Sequence, residues 1–290
     1  MKIAISGSTG FIGKQLSDYL LRSGNELIFI KRSDFRNGIY HLSNIVNSAD
    51  VIINLAGSPV LVRWSGRNKE IIRISRIDTT KSLVEAVRKN ESRQFPKVFI
   101  NASAIGIYEN SGIHDEYSHI LGYDFLASVC KAWENEAFGL KDVNLRLCII
   151  RTGIVLGTTG GTFRKMLPFF KSGLGGRIGS GKQPFSFIHI TDYCQAIGHL
   201  ISNDNSSGIY NLVSPQPTTN KLFTSTLSGC LNRPAFFIIP GFILKMIYGE
   251  ASEIVLKGTY VKPTRLLAEG FKFQFPDISS AICDLVKKGN

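Results

Sequence analysis

The sequence predicts an α/β protein built on a doubly wound parallel sheet, with a smaller C-terminal substrate lobe. Three observations predict it. The apolar opening Met-Lys-Ile-Ala-Ile-Ser runs directly into Gly7-Ser-Thr-Gly-Phe-Ile-Gly13. Short runs rich in Ile and Val then alternate with segments of helical periodicity, the pattern of parallel strands joined by right-handed crossovers. After Arg151 the texture changes, with eight glycines from Gly157 to Gly181.

The first strand ends at Ser6, the glycines turn the chain, and a helix runs over 11–22. Bare backbone N–H groups and the positive end of a helix dipole then face whatever anion fills the turn, and a dinucleotide pyrophosphate suits it. Gly7 permits the tight turn, Gly10 lets the backbone approach the phosphates, and Gly13 lets the helix pack on its strand. Ser8, Thr9, Phe11 and Ile12 complete this Rossmann-type cofactor turn. Apolar runs at 27–31, 51–55, 98–102 and 145–150 read as further buried strands, and 69–89 and 124–138 as helices. The stretch 32–50 is too short for a long helix plus a strand, so that unit is abbreviated. The cofactor domain is placed at 1–160, with later returns to the sheet edge within 186–212, most plainly at 208–212. The substrate lobe covers 161–290 and ends in a helix over 277–287.

Composition removes several function classes. With 43% hydrophobic residues over 290 positions the chain can bury a full core. The longest apolar stretch, 236–248, is broken by Pro240, Gly241 and Lys245 and is too short to cross a bilayer, so no membrane partner is expected. The first twelve residues carry too short an apolar run for a signal peptide. Cys130, Cys148, Cys194, Cys230 and Cys283 are odd in number and never spaced C-x-x-C, which suits reduced thiols in the cytoplasm and excludes a zinc pattern. The net charge of +12 comes from basic residues scattered singly or in pairs. Without a basic helix or an aromatic RNA-binding signature, no nucleic-acid partner is expected. A small-molecule substrate of anionic character fits that charge, and nothing in the sequence speaks to oligomeric state.

In dinucleotide-binding sheets the end of the second strand meets the adenosine ribose, where an acid favours NAD and a base accommodates a 2′-phosphate. Lys31 and Arg32 stand there, with Asp34 two residues further on. NADP (NADPH) is therefore favoured over NAD, the alternative being two solvated loop cations. At Asn54-Leu55-Ala56-Gly57, small residues let the main chain run along the cofactor, while Asn54 serves either that turn or a bridge between strands. Ser103 ends the strand at 98–102 and is either a donor to developing oxyanion charge or a turn cap.

These segments resemble the short-chain dehydrogenase/reductases. The G-x-x-G-x-x-G spacing is typical of them, and Asn54 to Gly57 resembles their N-x-A-G element. Asn101-Ala-Ser-Ala-Ile-Gly-Ile-Tyr108 resembles the S-S-x-x-V-Y-G element of the extended members, whose serine hydrogen-bonds the reacting carbonyl. Arg151-Thr-Gly-Ile-Val-Leu-Gly157 is similar to a segment that reaches the nicotinamide half, which brings Val155 to the cofactor. Phe187-Ile-His-Ile-Thr-Asp192 resembles F-V-H-V-D-D, where the histidine is structural more often than catalytic. Arg63-Trp64, Ile74 to Thr80, Trp133-Glu134, Gly173-Leu-Gly-Gly176 and Val261-Lys-Pro-Thr-Arg-Leu-Leu-Ala-Glu-Gly-Phe271 together resemble the atypical extended subgroup called epimerase family proteins, of the NAD-dependent epimerase/dehydratase superfamily, with its C-terminal domain of unknown function. The resemblance implies NADP binding and an Arg76 placed to reach the NADP phosphate.

One departure matters. Classical members carry Y-x-x-x-K on the helix after the serine strand, where lysine binds ribose and lowers the tyrosine pKa. Here the equivalent positions hold Leu126 and Cys130. Tyr108 and Tyr123 are the remaining candidates for the acid, and Tyr108 with Lys182 for substrate contact. Gly176-Arg-Ile-Gly-Ser-Gly-Lys182 imitates a phosphate-binding loop, but Gln183 and Pro184 follow it, so it reads as a flap or a mobile loop. The expected function is an NADP(H)-dependent oxidoreductase or epimerase-like enzyme on a carbonyl or alcohol, with Ser103 polarising the oxygen. The alternative is a catalytically inactive NADPH-binding regulator or scaffold.

Overall fold

β1 (Lys2–Ser6) is buried on both faces, Ile3 and Ile5 facing one layer of helices and Ala4 the other. The computed structural model describes residues 1–89 and 96–289. From β1 the chain continues through α1 (Phe11–Arg22), β2 (Glu26–Ile30), α2 (Ile39–Asn47), β3 (Val51–Asn54), α3 (Gly66–Arg88) and β4 (Val98–Ala104). It then passes a short β5 (Ile113–His114) to α4 (Phe125–Phe138), β6 (Arg146–Thr152), β7 (Ile154–Leu156), α5 (Gly161–Lys171), β8 (Gly176–Ile178) and β9 (Phe187–His189). The remaining elements are α6 (Ile190–Ser202), β10 (Gly208–Leu212), α7 (Asn220–Leu231), β11 (Phe237–Ile239), α8 (Gly241–Tyr248), α9 (Glu253–Leu256), β12 (Tyr260–Val261), α10 (Thr264–Ala268) and α11 (Ile278–Lys288).

Six strands form the main sheet in the order β10-β6-β4-β3-β1-β2, all parallel. The chain winds outward from β1 in both directions, as the strand and helix alternation predicts. The crevice between β1 and its neighbours opens at their C-terminal ends, where such sheets bind ligands. The abbreviated unit between β2 and β3 is α2. The helix expected from 69 starts at Gly66 instead, because Ser65 caps it by accepting from the Asn68 N–H.

The C-terminal lobe has its own core of Phe163, Phe170, Phe187, Phe223, Ile282 and Leu285. It is tied to the sheet by polar contacts. The buried Asp192 carboxylate accepts from the Gln274 and Phe275 N–H groups at 2.8 and 3.0 Å. Arg265 donates to the carbonyls of Ile209 and Ser207 at 3.0 and 2.6 Å and lies 4.3 Å over the Tyr210 ring. Glu269 accepts from the Tyr210 hydroxyl at 2.6 Å. Cys130, Cys148 and Cys194 are buried thiols, while the Sγ atoms of Cys230 and Cys283 approach to 2.8 Å between α7 and α11.

Candidate functional site

The glycine turn is enforced from two sides by the fold itself. Gly7 has φ +75°, and a Cβ there would lie 2.7 Å from the Leu55 carbonyl carbon. A Cβ at Gly13 would lie 2.3 Å from the Gly7 oxygen. At Gly10 the nearest protein atom would be 3.4 Å away, so the protein leaves that side of the turn open for a close neighbour. No side chain caps α1, and its first turn holds no acid, which leaves its amides and dipole available to an anion. Ser8 and Ile12 are half-buried and Thr9 is exposed along this turn. The Phe11 ring instead anchors the glycine-rich strand exit: Cβ atoms at Gly157 and Gly160 would each lie 2.6 Å from it. Val155 is buried in the same cluster.

Leu55, Ala56 and Gly57 run beside the turn. Behind them Asn54 bridges the strands, accepting from Ser6 Oγ at 2.5 Å and donating to Thr80 Oγ1 and Asn101 Oδ1 at 2.8 Å each. Trp133 Nε1 donates to the same Thr80 oxygen at 2.8 Å. Arg76 lies against Gly57, whose Cβ would meet the guanidinium at 3.0 Å. It donates to the carbonyls of Ser58 and Ile72 at 3.0 and 3.2 Å and lies 5.3 Å from the Trp133 ring centre. It appears in no ion pair among the described residues, and burial pulls its pKa below the ordinary arginine value.

Lys31 and Arg32 are exposed just past β2. The Asp34 carboxylate folds back on the end of β2, taking the Lys31 N–H at 2.6 Å on one oxygen and the His41 ring at 3.2 Å on the other.

At the ends of β4 and β6 lies a second buried network. Ser103, 3% exposed, donates to Glu134 Oε1 at 2.6 Å. Arg151 grips the same carboxylate through Nε and Nη2 at 2.9 and 2.8 Å and donates through Nη1 to the Tyr108 hydroxyl at 2.9 Å. Burial opposes the Arg151 charge, but Glu134 and Tyr108 outweigh it and raise its pKa. In this arrangement the Ser103 proton is held by a carboxylate rather than offered to a substrate oxygen. Tyr108 is likewise enclosed, with Asn211 Oδ1 and the Asp115 carbonyl each 2.9 Å from its hydroxyl, so it faces the scaffold rather than a substrate. Tyr123 is 93% exposed beside Lys131, and the Cys130 thiol is pushed up to about 12 by burial.

Lys182 is exposed on a loop fastened to the start of α7, where the Lys221 N–H meets the Gly181 carbonyl at 2.8 Å and Asn220 accepts from the Ile178 N–H at 2.8 Å. His189 caps α6 through Nδ1 and is held down to about 4 by burial, a structural role. Trp64 packs edge-on against Phe125 at 4.9 Å within the cofactor domain, while Arg63 donates to the Met246 carbonyl of the C-terminal lobe. The sequence marked Glu134 and Arg151 as separate motif residues and missed that they pair. The available signal was an acid in line with the apolar stripe Ala127, Cys130 and Ala137 of its helix.

Residues 3–212 match the NAD dependent epimerase/dehydratase family, and residues 239–285 a domain of unknown function, DUF1731. The chain belongs to the NAD-dependent epimerase/dehydratase family. Within that family it is similar to the epimerase family protein SDR39U1 homolog of Arabidopsis thaliana chloroplasts, 34% identical over 97% of this chain and 86% of that one. An epimerase family protein of Staphylococcus aureus (strain MW2) is 33% identical over 98% of each chain. Among solved structures, human epimerase family protein SDR39U1 (isoform 2) with NADPH superposes with a TM-score of 0.93 at 31% identity, over 99% of both chains. The UDP-glucuronic acid 4-epimerase of Bacillus cereus, in complex with UDP-glucuronic acid and NAD, shares the fold at a TM-score of 0.78 and 18% identity.

Proposed function

We propose that the chain is an NADP(H)-binding oxidoreductase or epimerase-like enzyme acting on a carbonyl or alcohol, placed in the cytoplasm. One observation carries the cofactor assignment: an uncapped helix start and a half-buried, carboxylate-free Arg76 flank the same loop, Leu55 to Gly57. Both features attract phosphate, and neither is met by a carboxylate among the described residues. The NADPH of the human relative supports it. Bound NADP(H) would supply a hydride donor or acceptor at its nicotinamide ring. The turn at Gly7, Gly10 and Gly13 would seat the pyrophosphate, Arg76 would neutralise phosphate charge, and Lys31 and Arg32 would meet the 2′-phosphate, the Asp34 carboxylate being engaged by the Lys31 amide and the His41 ring. Calorimetry on ligand-stripped protein tests this, with NADPH expected to bind more tightly than NADH; no heat with either dinucleotide overturns it.

Turnover on this proposal needs the Ser103 hydroxyl to leave Glu134 for the reacting oxygen. Ser103→Ala is then expected to slow NADPH consumption by about 10²-fold with cofactor affinity kept, and an unchanged rate removes serine from the chemistry. A second function, a non-catalytic NADPH-binding regulator, is favoured by the engagement of Ser103 and Tyr108 within the scaffold and by Leu126 and Cys130 in place of the Tyr/Lys pair. Tight NADPH binding without consumption across a panel of carbonyls and nucleotide sugars would select it.

A further inference from the structure

The C-terminal lobe carries an apolar face that the chain leaves uncovered. Phe236, Phe237 and Ile238 at β11, and Phe242, Met246 and Ile247 on α8, are all more than half exposed, Phe236 at 88%. No residue of α8 is buried. Isolated exposed apolar residues are ordinary, but six within twelve positions of chain form a patch of the kind that marks an interaction surface.

Its charge is one-sided. A groove brings Arg177 and Lys221 together with Pro234, Phe236, Phe237 and Ile238. Phe242, Lys245 and Met246 share one helical stripe by their spacing. No Asp or Glu occurs from 205 to 249, where Lys221, Arg233 and Lys245 stand. The first acid after α8, Glu250, is paired with Lys69 at 2.6 Å. Arg177, Lys221, Arg233 and Lys245 appear in no ion pair among the described residues.

We propose that this face docks on an anionic lipid bilayer, its aromatic side chains entering the interfacial region and its cations meeting lipid phosphates. Interfacial binding combines buried apolar area with attraction to anionic headgroups, and this surface offers both, its nearest acid in the chain, Glu250, being answered by Lys69. A second copy presenting the same face would set cations against cations. The contact lies on the membrane and does not span it, since α8 has eight residues and no helix among the described residues is long and apolar enough to cross. This revises the expectation of no membrane partner, which rested only on the lack of a spanning segment. It is independent of the cofactor assignment, because no residue of the glycine turn takes part.

The test is flotation of the full chain with vesicles of phosphatidylcholine alone and of phosphatidylcholine with phosphatidylglycerol. The bound fraction is expected to be at least about tenfold higher on the anionic vesicles and to fall as salt rises. The variant Phe236→Ser/Phe242→Ser is expected to lose about tenfold of that binding with an unchanged melting transition, both side chains being solvent-exposed. Should that variant melt early, Arg233→Gln/Lys245→Gln carries the test, with an expected loss of about tenfold. Equal binding to both vesicles, or none to either, overturns the proposal. So does a dimer in light scattering that Phe236→Ser/Phe242→Ser dissolves, which would make the face a contact between copies.

Discussion

Two arginines at the ends of the strands that flank β4, Arg151 buried and Arg76 half-buried, are treated in opposite ways. Arg151, at the end of β6, is enclosed by a bidentate Glu134 and the Tyr108 hydroxyl, so its charge is answered inside the protein. Arg76, beside the end of β3, has carbonyl oxygens, a serine hydroxyl and a tryptophan face around it. Removing a guanidinium from water costs several kcal/mol unless it is paired. The paired arginine therefore belongs to the scaffold, while the one lacking a carboxylate is suited to an anion from outside. Motif matching alone ranks the two residues alike.

The largest expected effect separates them by stability. Glu134→Gln leaves Arg151 buried without its counter-charge and is expected to cost about 3–5 kcal/mol in denaturant titration. Arg76→Met strands no charged partner and is expected to stay within about 1 kcal/mol of the parent. Comparable losses in the two variants would erase the distinction. Next in size is cofactor affinity: Arg76→Met is expected to weaken NADPH by about 10- to 100-fold, or about 1.4–2.8 kcal/mol, by calorimetry. Running NADH in parallel assigns the phosphate, since equal losses mean the pyrophosphate and a loss confined to NADPH means the 2′-phosphate. The smallest effect concerns the exposed cations. Lys31→Gln/Arg32→Gln is expected to weaken NADPH by about tenfold at low salt while leaving NADH nearly unchanged, less so as salt screens the pair. Equal losses for both dinucleotides would break the assignment of these residues to the 2′-phosphate.

What could be read in the chain was what local chemistry dictates. Gly7 and Gly13 stand where the chain leaves no room for a side chain, and the Ile and Val runs fall within two residues of the strands at either end. Ser65 and Asn68 carried a legible cap that the helical periodicity overshadowed. The Glu134 and Arg151 pair was illegible because it joins a helix to a strand through tertiary packing. The direction of the Ser103 proton depends on that same pairing. Asp34 stands two residues beyond Arg32 in sequence, but only the fold shows its carboxylate folded back on the Lys31 amide. The apolar run at 236–248 was read for length alone, and its exposure on a strand and a short helix follows from packing that periodicity does not encode.

The grip of Arg265 on Ile209 and Ser207, together with Glu269 on Tyr210, has a consequence for aggregation. β10 ends the sheet, and its outer row of backbone groups could template a foreign strand. Occupying that row with a guanidinium makes the distal tail a guard against self-assembly. A chain cut before Pro263 is therefore expected to form oligomers through this border, even with its nucleotide crevice intact.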